Sequence, residues 1–316
     1  MILVTGATGF LGSMLVQKLQ EDSFDVMPLH FGTQALIADD YWQADLTRID
    51  HLEKLAQADK TPETIIHLAG YIDIALQPKH DSLALIPGHQ DIASLYAINV
   101  SATANLVDYC LKVGVKHLIF ASTQAVYGMP QGVLTETSPC RPLEHYAASK
   151  LCAEKLLEVA SHQGLKVTIA RFPGLYAHHR QSGVVYNFCK SALQKKEIII
   201  QSSIPLPIDV IHMNDVIDAF IKMVQIKDYQ FLLLNIATGQ PCSLNVLADN
   251  VAQLVPGCTV THTTIAQPVV TMDSSQAQKI LGWKPLPQEQ RLSQMLDALQ
   301  SDLIQSSTTI LHERFL

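Results

Sequence analysis

The feature that most constrains this chain is the alternation of short apolar runs with longer amphipathic segments. "ILVT" (2–5), "FDVM" (24–27), "TIIHLA" (64–69), "HLIFAS" (117–122) and "KVTIARF" (166–172) have the length and composition of buried strands. "IDVIHM" (208–213) and "FLLLNIA" (231–237) follow later, while "LGSMLVQKLQ" (11–20), "SATANLVDYCLKV" (101–113) and "AASKLCAEKLLEVA" (147–160) carry a helical period. Strand–helix alternation implies parallel strands joined by right-handed crossovers. The expected fold class is α/β, a doubly wound parallel sheet with a smaller, mostly C-terminal α/β substrate lobe. Residues 1–173 and 207–238 are assigned to the sheet domain, and 174–206 and 239–316 to the lobe. Ligands of such sheets sit beyond the carboxyl ends of the strands, so those ends are where chemistry is sought.

"VTGATGFLG" places Gly6, Gly9 and Gly12 between the first strand and the first helix. Gly6 permits the tight turn, Gly9 lets a pyrophosphate approach the backbone, and Gly12 lets the helix pack close. The helix N-terminus then faces the phosphates, which makes 1–173 and 207–238 a dinucleotide-binding domain. Composition excludes other partners. With a net charge of −7 and no basic run, neither nucleic acid nor an anionic membrane is expected to bind. No run of 18 apolar residues occurs, and "MILVTG" lacks a basic leader, so a cytoplasmic protein is expected. Six scattered cysteines form no CxxC pair or Cys/His cluster, which predicts buried reduced thiols and no metal.

"HLIFASTQAVYG" ends a strand on two hydroxyls, Ser122 and Thr123, and "HYAASK" sets Tyr146 and Lys150 one helical turn apart on one face. Tyrosine is a poor base at pH 7. Lowering its pKa by ~3 units needs roughly 4 kcal/mol of phenolate stabilisation, for which the lysine and an oxidised nicotinamide are plausible sources. Tyr146 would move a proton to or from a substrate oxygen that Thr123 also hydrogen-bonds. A second Tyr–Lys pair, Tyr186 and Lys190, falls in the substrate lobe and is read as non-catalytic.

Together with "ADL" (44–46), "IIHLAG" (65–70), "NVSATANLVDYC" (99–110), "VIHMNDVIDA" (210–219), "NIATG" (235–239) and "LGWKP" (281–285), these motifs occur in a recognisable order. The chain resembles the extended short-chain dehydrogenase/reductase family, the NAD-dependent epimerase/dehydratase group, from residue 1 to about 290. The resemblance implies a Rossmann domain and a Tyr146–Lys150–Thr123 catalytic set. It implies cofactor contacts from Gly6, Thr8, Gly9, Phe10, Leu11, Gly12 and His30. It further implies contacts from Asp45 and Leu46 at the adenine, from Leu68, Ala69 and Gly70 at the phosphates and nicotinamide ribose, and from Asn99, Ser122, Phe172 and Pro173. Tyr71, Thr123, Gln124, Gly174, His178, His179 and Arg180 become substrate candidates. A homodimer through the helices at 92–113 and 146–162 is also implied.

Several positions depart from the family pattern. Its dehydratases carry an Asp-Glu pair where this chain has Gln124 and Ala125, which disfavours dehydration. Family arginines and an asparagine that contact a sugar diphosphate are replaced by Ile208 and Gly174, and residues 228–278 contain no Arg or Lys. "HHR" (178–180) is a partial substitute. At the second strand, His30 stands where NAD-preferring members place a carboxylate, and no cation lies between Lys18 and Arg48 to meet a 2′-phosphate. The cofactor is NAD or NADP, with the balance toward NAD. Pro28 suggests that this strand stops early. Residues 77–91 read equally as a lid or a surface loop. The expected function is an NAD(P)-dependent epimerase or oxidoreductase acting at a hydroxyl/carbonyl carbon, foremost of a nucleotide sugar. The alternatives are a reductase or dehydrogenase of a smaller carbonyl substrate, and a non-catalytic dinucleotide sensor.

Overall fold

A computed structural model describes residues 1–72, 91–129, 131–200, 208–262 and 265–313, with side chains to residue 302. The segment 77–91 lies outside these residues except for Asp91. The first half of the chain contributes β1 (Ile2–Thr5), α1 (Phe10–Glu21), β2 (Val26–His30), β3 (Leu36–Ile37), β4 (Trp42–Gln43), α2 (Ile49–Leu55) and β5 (Thr64–His67). Then come α3 (Ile92–Tyr96), α4 (Ala102–Val113), β6 (His117–Thr123), β7 (Gly132–Leu134), α5 (His145–Ser161) and β8 (Lys166–Phe172). The remainder is β9 (Gly174–Tyr176), α6 (Val184–Lys195), β10 (Glu197–Ile199), β11 (Val210–His212), α7 (Met213–Val224), β12 (Phe231–Asn235), α8 (Leu244–Gln253), β13 (Thr259–Thr261), β14 (Val270–Met272), α9 (Ser275–Leu281) and α10 (Gln288–Glu313).

Eight strands form the central sheet in the order β12-β8-β6-β5-β1-β2-β4-β3, parallel except for β3 against β4. Alternation along β1 sends Leu3 to one face and Val4 to the other. Val4 joins Leu15, Phe220 and Trp283 under α1, α7 and α9, while Leu3 joins Trp42, Leu106 and Leu157 under α2, α4 and α5. Each fully buried aliphatic or aromatic side chain contributes about 1.5–3 kcal/mol, so both faces must be covered for the sheet to persist. The chain order reverses between β1 and β5, which opens a crevice at their carboxyl ends.

Three expectations change here. Pro28 does not end β2, which runs to His30. The Ile2 amide bonds to Asp25 O and the Ala44 amide to His30 O, so odd-numbered β2 residues face β1 and even-numbered ones face β4. β4 joins only at Leu29 and His30, so the amide that Pro28 lacks has no strand opposite it. "IDVIHM" does form a strand, but β11 pairs with β9 away from the central sheet. Of the cysteines, Cys110, Cys189 and Cys242 are buried, Cys140 and Cys258 are half-buried and Cys152 is exposed, all as free thiols. Cys152 lies on the outer side of α5, where helical period rather than residue type decides burial.

A second core packs Tyr176, Phe188, Ile198, Leu247, Val251, Leu292 and Leu296 from β9, α6, β10, α8 and α10. Residues 270–283 leave that core again: β14 pairs with β7, and Ala277, Leu281 and Trp283 pack on the central sheet. Among the described residues no helix is long and apolar enough to cross a membrane.

Candidate active site

β1 ends at Thr5, and the chain turns at Gly6 with φ +68°. A Cβ on Gly6 would lie 2.7 Å from the Ala69 amide nitrogen, and one on Gly12 would lie 2.1 Å from Gly6 O. Both glycines are therefore required by close backbone approach. Gly9 caps α1 with no side-chain hydrogen bond, so the first-turn amides face the crevice uncapped. This uncapped N-terminus fits a dinucleotide pyrophosphate. Beside it, a cleft of about 130 Å³ gathers Gly6, Thr8, His30, Asp45, Leu46 and Ala69, together with Phe31, Thr47, Ile98 and Ala102, which the sequence reading missed. His30 stacks on Tyr41 with ring centroids 4.8 Å apart, and Asp45 Oδ1 accepts hydrogen bonds from Thr47 N at 2.9 Å and Thr47 Oγ1 at 2.7 Å. A wider hollow of about 270 Å³ between α1 and α7 contains none of the glycine-loop residues.

The crevice floor is held by buried polar chains. Thr5 Oγ1 accepts from the Ala69 amide at 3.1 Å and lies 2.7 Å from His67 Nδ1, whose Nε2 lies 3.1 Å from Thr103 Oγ1. Burial, and secondarily Lys150, pushes the His67 imidazolium down to about 3, so the ring is neutral at pH 7. Asn99 sits in a π-helical turn, Ala97–Ser101, between α3 and α4. Its Oδ1 accepts from the Tyr71 amide at 2.7 Å, and its Nδ2 donates to Tyr71 O and Ser149 Oγ, both at 2.9 Å. The extra residue of a π-turn frequently marks a functional position. Here it lets one side chain clamp the backbone that follows Leu68, Ala69 and Gly70.

Tyr146 and Lys150 lie on one face of α5. The Lys150 ammonium is 4.2 Å from the centroid of the Phe120 ring and 3.6 Å from where a Gly70 side chain would begin. Burial pulls it down to about 8, against Glu154, which raises it. Burial first, then Glu144, pushes the Tyr146 phenol up to about 12. Desolvation of the phenolate is the larger of these two causes. In the second Tyr–Lys pair the Lys190 ammonium lies 5.6 Å from the Tyr186 ring centroid.

The two hydroxyls at the end of β6 part company. Ser122 Oγ donates a short hydrogen bond to Glu154 Oε1, so this side chain is committed inside the protein. Thr123 Oγ1 accepts from the Ala125 amide at 3.2 Å, which leaves its own O–H available. Phe172 packs edge-on to Phe220 at 6.4 Å, Pro173 and Gln124 are buried, and Gly174 is exposed, its amide donating to Asp209 O at 3.1 Å. The exposed ring of His179 lies 5.1 Å from that of Phe10 and 5.1 Å from that of His178. The Arg180 guanidinium lies 5.2 Å over Phe10 and donates to Leu175 O at 3.1 Å. "HHR" is thus brought to the start of α1.

Residues 2–237, about three quarters of the chain, match the model of the NAD dependent epimerase/dehydratase family. The chain belongs to that family. A UDP-glucose 4-epimerase of Streptomyces lividans is 25% identical over 309 residues, covering 90% of this chain and 91% of the relative. The structure of MoeE5 in complex with UDP-glucose and NAD is 27% identical with a TM-score of 0.73, covering 96% of this chain and 99% of the other. A UDP-glucose 4-epimerase of Thermotoga maritima, solved with UDP-glucose, shares the fold with a TM-score of 0.76 at 22% identity, over 96% and 99% of the two chains. This member of the epimerase/dehydratase family is an enzyme whose cofactor is NAD. Sequence reasoning missed the Glu154–Arg171 pair beneath the site. An arginine inside the buried run "KVTIARF" was the available signal, because a buried cation demands a partner.

Proposed function

We propose that this enzyme epimerises a nucleotide sugar at a carbinol carbon, with Tyr146, Lys150 and Thr123 as its catalytic residues. The observation that carries the reading is the α5 face: a phenol and an enclosed ammonium, one turn apart, beside the Gly70 backbone at the end of β5. When bound, NAD supplies the oxidant and a positive ring charge. Tyr146 exchanges the substrate hydroxyl proton, Thr123 donates to the same oxygen, and Lys150 favours the phenolate during that transfer. The glycine loop with Thr8, Phe10 and Leu11 serves the dinucleotide, and Asp45, Leu46 and His30 line its adenosine end. Leu68, Ala69, Gly70, Phe172 and Pro173 border its nicotinamide end, with Asn99 and Ser122 acting behind them. Tyr71, Gln124, Gly174 and the His178–Arg180 turn form the substrate side.

Dehydration is disfavoured because Gln124 and Ala125 offer no acid. Exposed Ile92, Leu111, Leu156 and Val159 on α3, α4 and α5 support a homodimer through these helices. The test mixes the NAD-loaded protein with UDP-glucose and reads UDP-galactose by chromatography. Product without net change in nicotinamide absorbance is expected; no product here, together with stoichiometric NADH consumption when NADH and a small carbonyl compound are supplied instead, would favour the second reading. That reading, a reductase of a smaller carbonyl compound, draws on Ile208 and Gly174, which give a diphosphate neither cation nor amide side chain.

A further inference from the structure

Tyr146, Lys150 and Glu154 recur every four residues and form a ladder down one face of α5. Glu154 is 3% exposed, and it is the member of the ladder fastened to the sheet. It takes Arg171 in a bidentate grip, Nε to Oε1 at 2.9 Å and Nη2 to Oε2 at 2.5 Å, while Oε1 also accepts from Ser122. Ser122 and Arg171 are register partners on β6 and β8, and the next register pair is Thr123 with Phe172. The carboxylate is therefore one residue from the catalytic hydroxyl on the strand side and one turn from the catalytic ammonium on the helix side.

We propose that Glu154 is a positioning residue that fixes the separation between Thr123 and the Tyr146–Lys150 face and holds a carboxylate one turn below the Lys150 ammonium. This rests on the catalytic assignment above. Stability alone does not account for the arrangement. A buried ion pair gains little over apolar packing, and among the described residues Arg171 Nη1 meets no well-aligned hydrogen-bond partner, with only Tyr127 and Cys140 beside the guanidinium. The groups facing Lys150 are neutral His67 from β5, Tyr146 and Glu154 from α5, and the Phe120 ring from β6. Those facing Glu154 are Ser122 from β6 and Arg171 from β8, with Cys140 nearby; Tyr127 stacks under the Arg171 guanidinium at 4.9 Å.

The experiment compares Glu154→Gln, the double variant Glu154→Gln/Arg171→Gln, and Ser122→Ala as NAD-loaded proteins. The double variant removes the stranded cation, and Ser122→Ala leaves the ion pair whole, so one of them folds if the single charge variant does not. In Glu154→Gln, kcat should fall about 10- to 100-fold with KM within about twofold, as expected when reacting groups are displaced rather than lost. The double variant should recover thermal stability but not kcat, and Ser122→Ala should show a smaller kcat loss. The Nζ resonance of Lys150, followed by NMR and assigned with Lys150→Met, needs no substrate. Its midpoint should lie at about 8 in the natural protein and lower once the Glu154 charge is removed. An unchanged midpoint, or an unchanged kcat with only a lower melting temperature, would overturn the proposal. A natural protein inactive on UDP-glucose would count against the function, while the resonance would still decide the role of Glu154.

Discussion

Two buried arginine–carboxylate pairs hold this molecule together, and they are built to different standards. Arg291 on α10 grips Asp215 in the first turn of α7, Nε to Oδ2 at 3.0 Å and Nη2 to Oδ1 at 2.6 Å. Each nitrogen of this guanidinium has a partner and the carboxylate is further held: Leu286 N donates to Asp215 Oδ1 at 3.2 Å, Trp283 Nε1 donates to Asp215 O at 2.9 Å, and Arg291 Nη1 donates to Gln294 at 3.0 Å. The Glu154–Arg171 pair is as deeply buried, yet Arg171 Nη1 has no well-aligned hydrogen-bond partner among the described residues, and the pair adjoins the proposed catalytic residues. On the proposal above, the complete network fastens, while the less complete one, placed against the proposed catalytic groups, holds a geometry that packing alone would not choose.

The largest effect that probes this contrast sets its functional scale. Tyr146→Phe should lower kcat by about 10²–10⁴-fold, the usual loss of a general acid–base group, with little change in melting temperature. Retained turnover would remove the catalytic side of the comparison. Next, Asp215→Ala should cost about 3–5 kcal/mol in urea unfolding, since it strands a buried arginine, while kcat per folded molecule stays unchanged. A selective loss of kcat would show that the fastening pair also reaches the site.

Acid is a third probe. Burial holds His67 and His117 down to about 3, well below their unfolded value of 6.5. The unfolded chain therefore binds protons that the native state refuses, and stability should fall progressively as pH drops from about 6.5 toward 3. The urea midpoint should decline across that window, and His117→Gln should flatten the decline. The smallest effect belongs to an exposed pair. Lys18 Nζ lies 2.6 Å from Asp22 Oδ1 on the surface of α1, and Lys18→Ala should leave the urea midpoint unmoved, because water and salt screen such contacts.

Much of the fold was legible because its signals are local. The three glycines left one workable turn between β1 and α1, and Tyr146 and Lys150 fell on one face by helical period alone. What was not legible depended on which side of an element a neighbour occupies. Pro28 announces a missing amide but not that β4 starts beyond it. "IDVIHM" announces a strand but not that its partner is β9. Ser122 and Thr123 look interchangeable in sequence, and only the approach of Glu154 separates an internal fastener from a hydroxyl free to donate. The burial that raises the Tyr146 phenol was not legible for a related reason: desolvation depends on everything packed around the ring, whereas sequence displays only the lysine one turn away. The π-turn at Asn99 left no trace because one extra residue barely disturbs a helical period.

The pairing of β7 with β14 brings residues 132–134 and 270–272 together from distant parts of the chain. With β9 against β11, and α9 returned to the central sheet, the polypeptide is stitched back and forth between its two cores. No single cut would release either core as a self-sufficient fragment. The small lobe is consequently not an exchangeable module: grafting another in its place would mean rewriting several separate stretches at once.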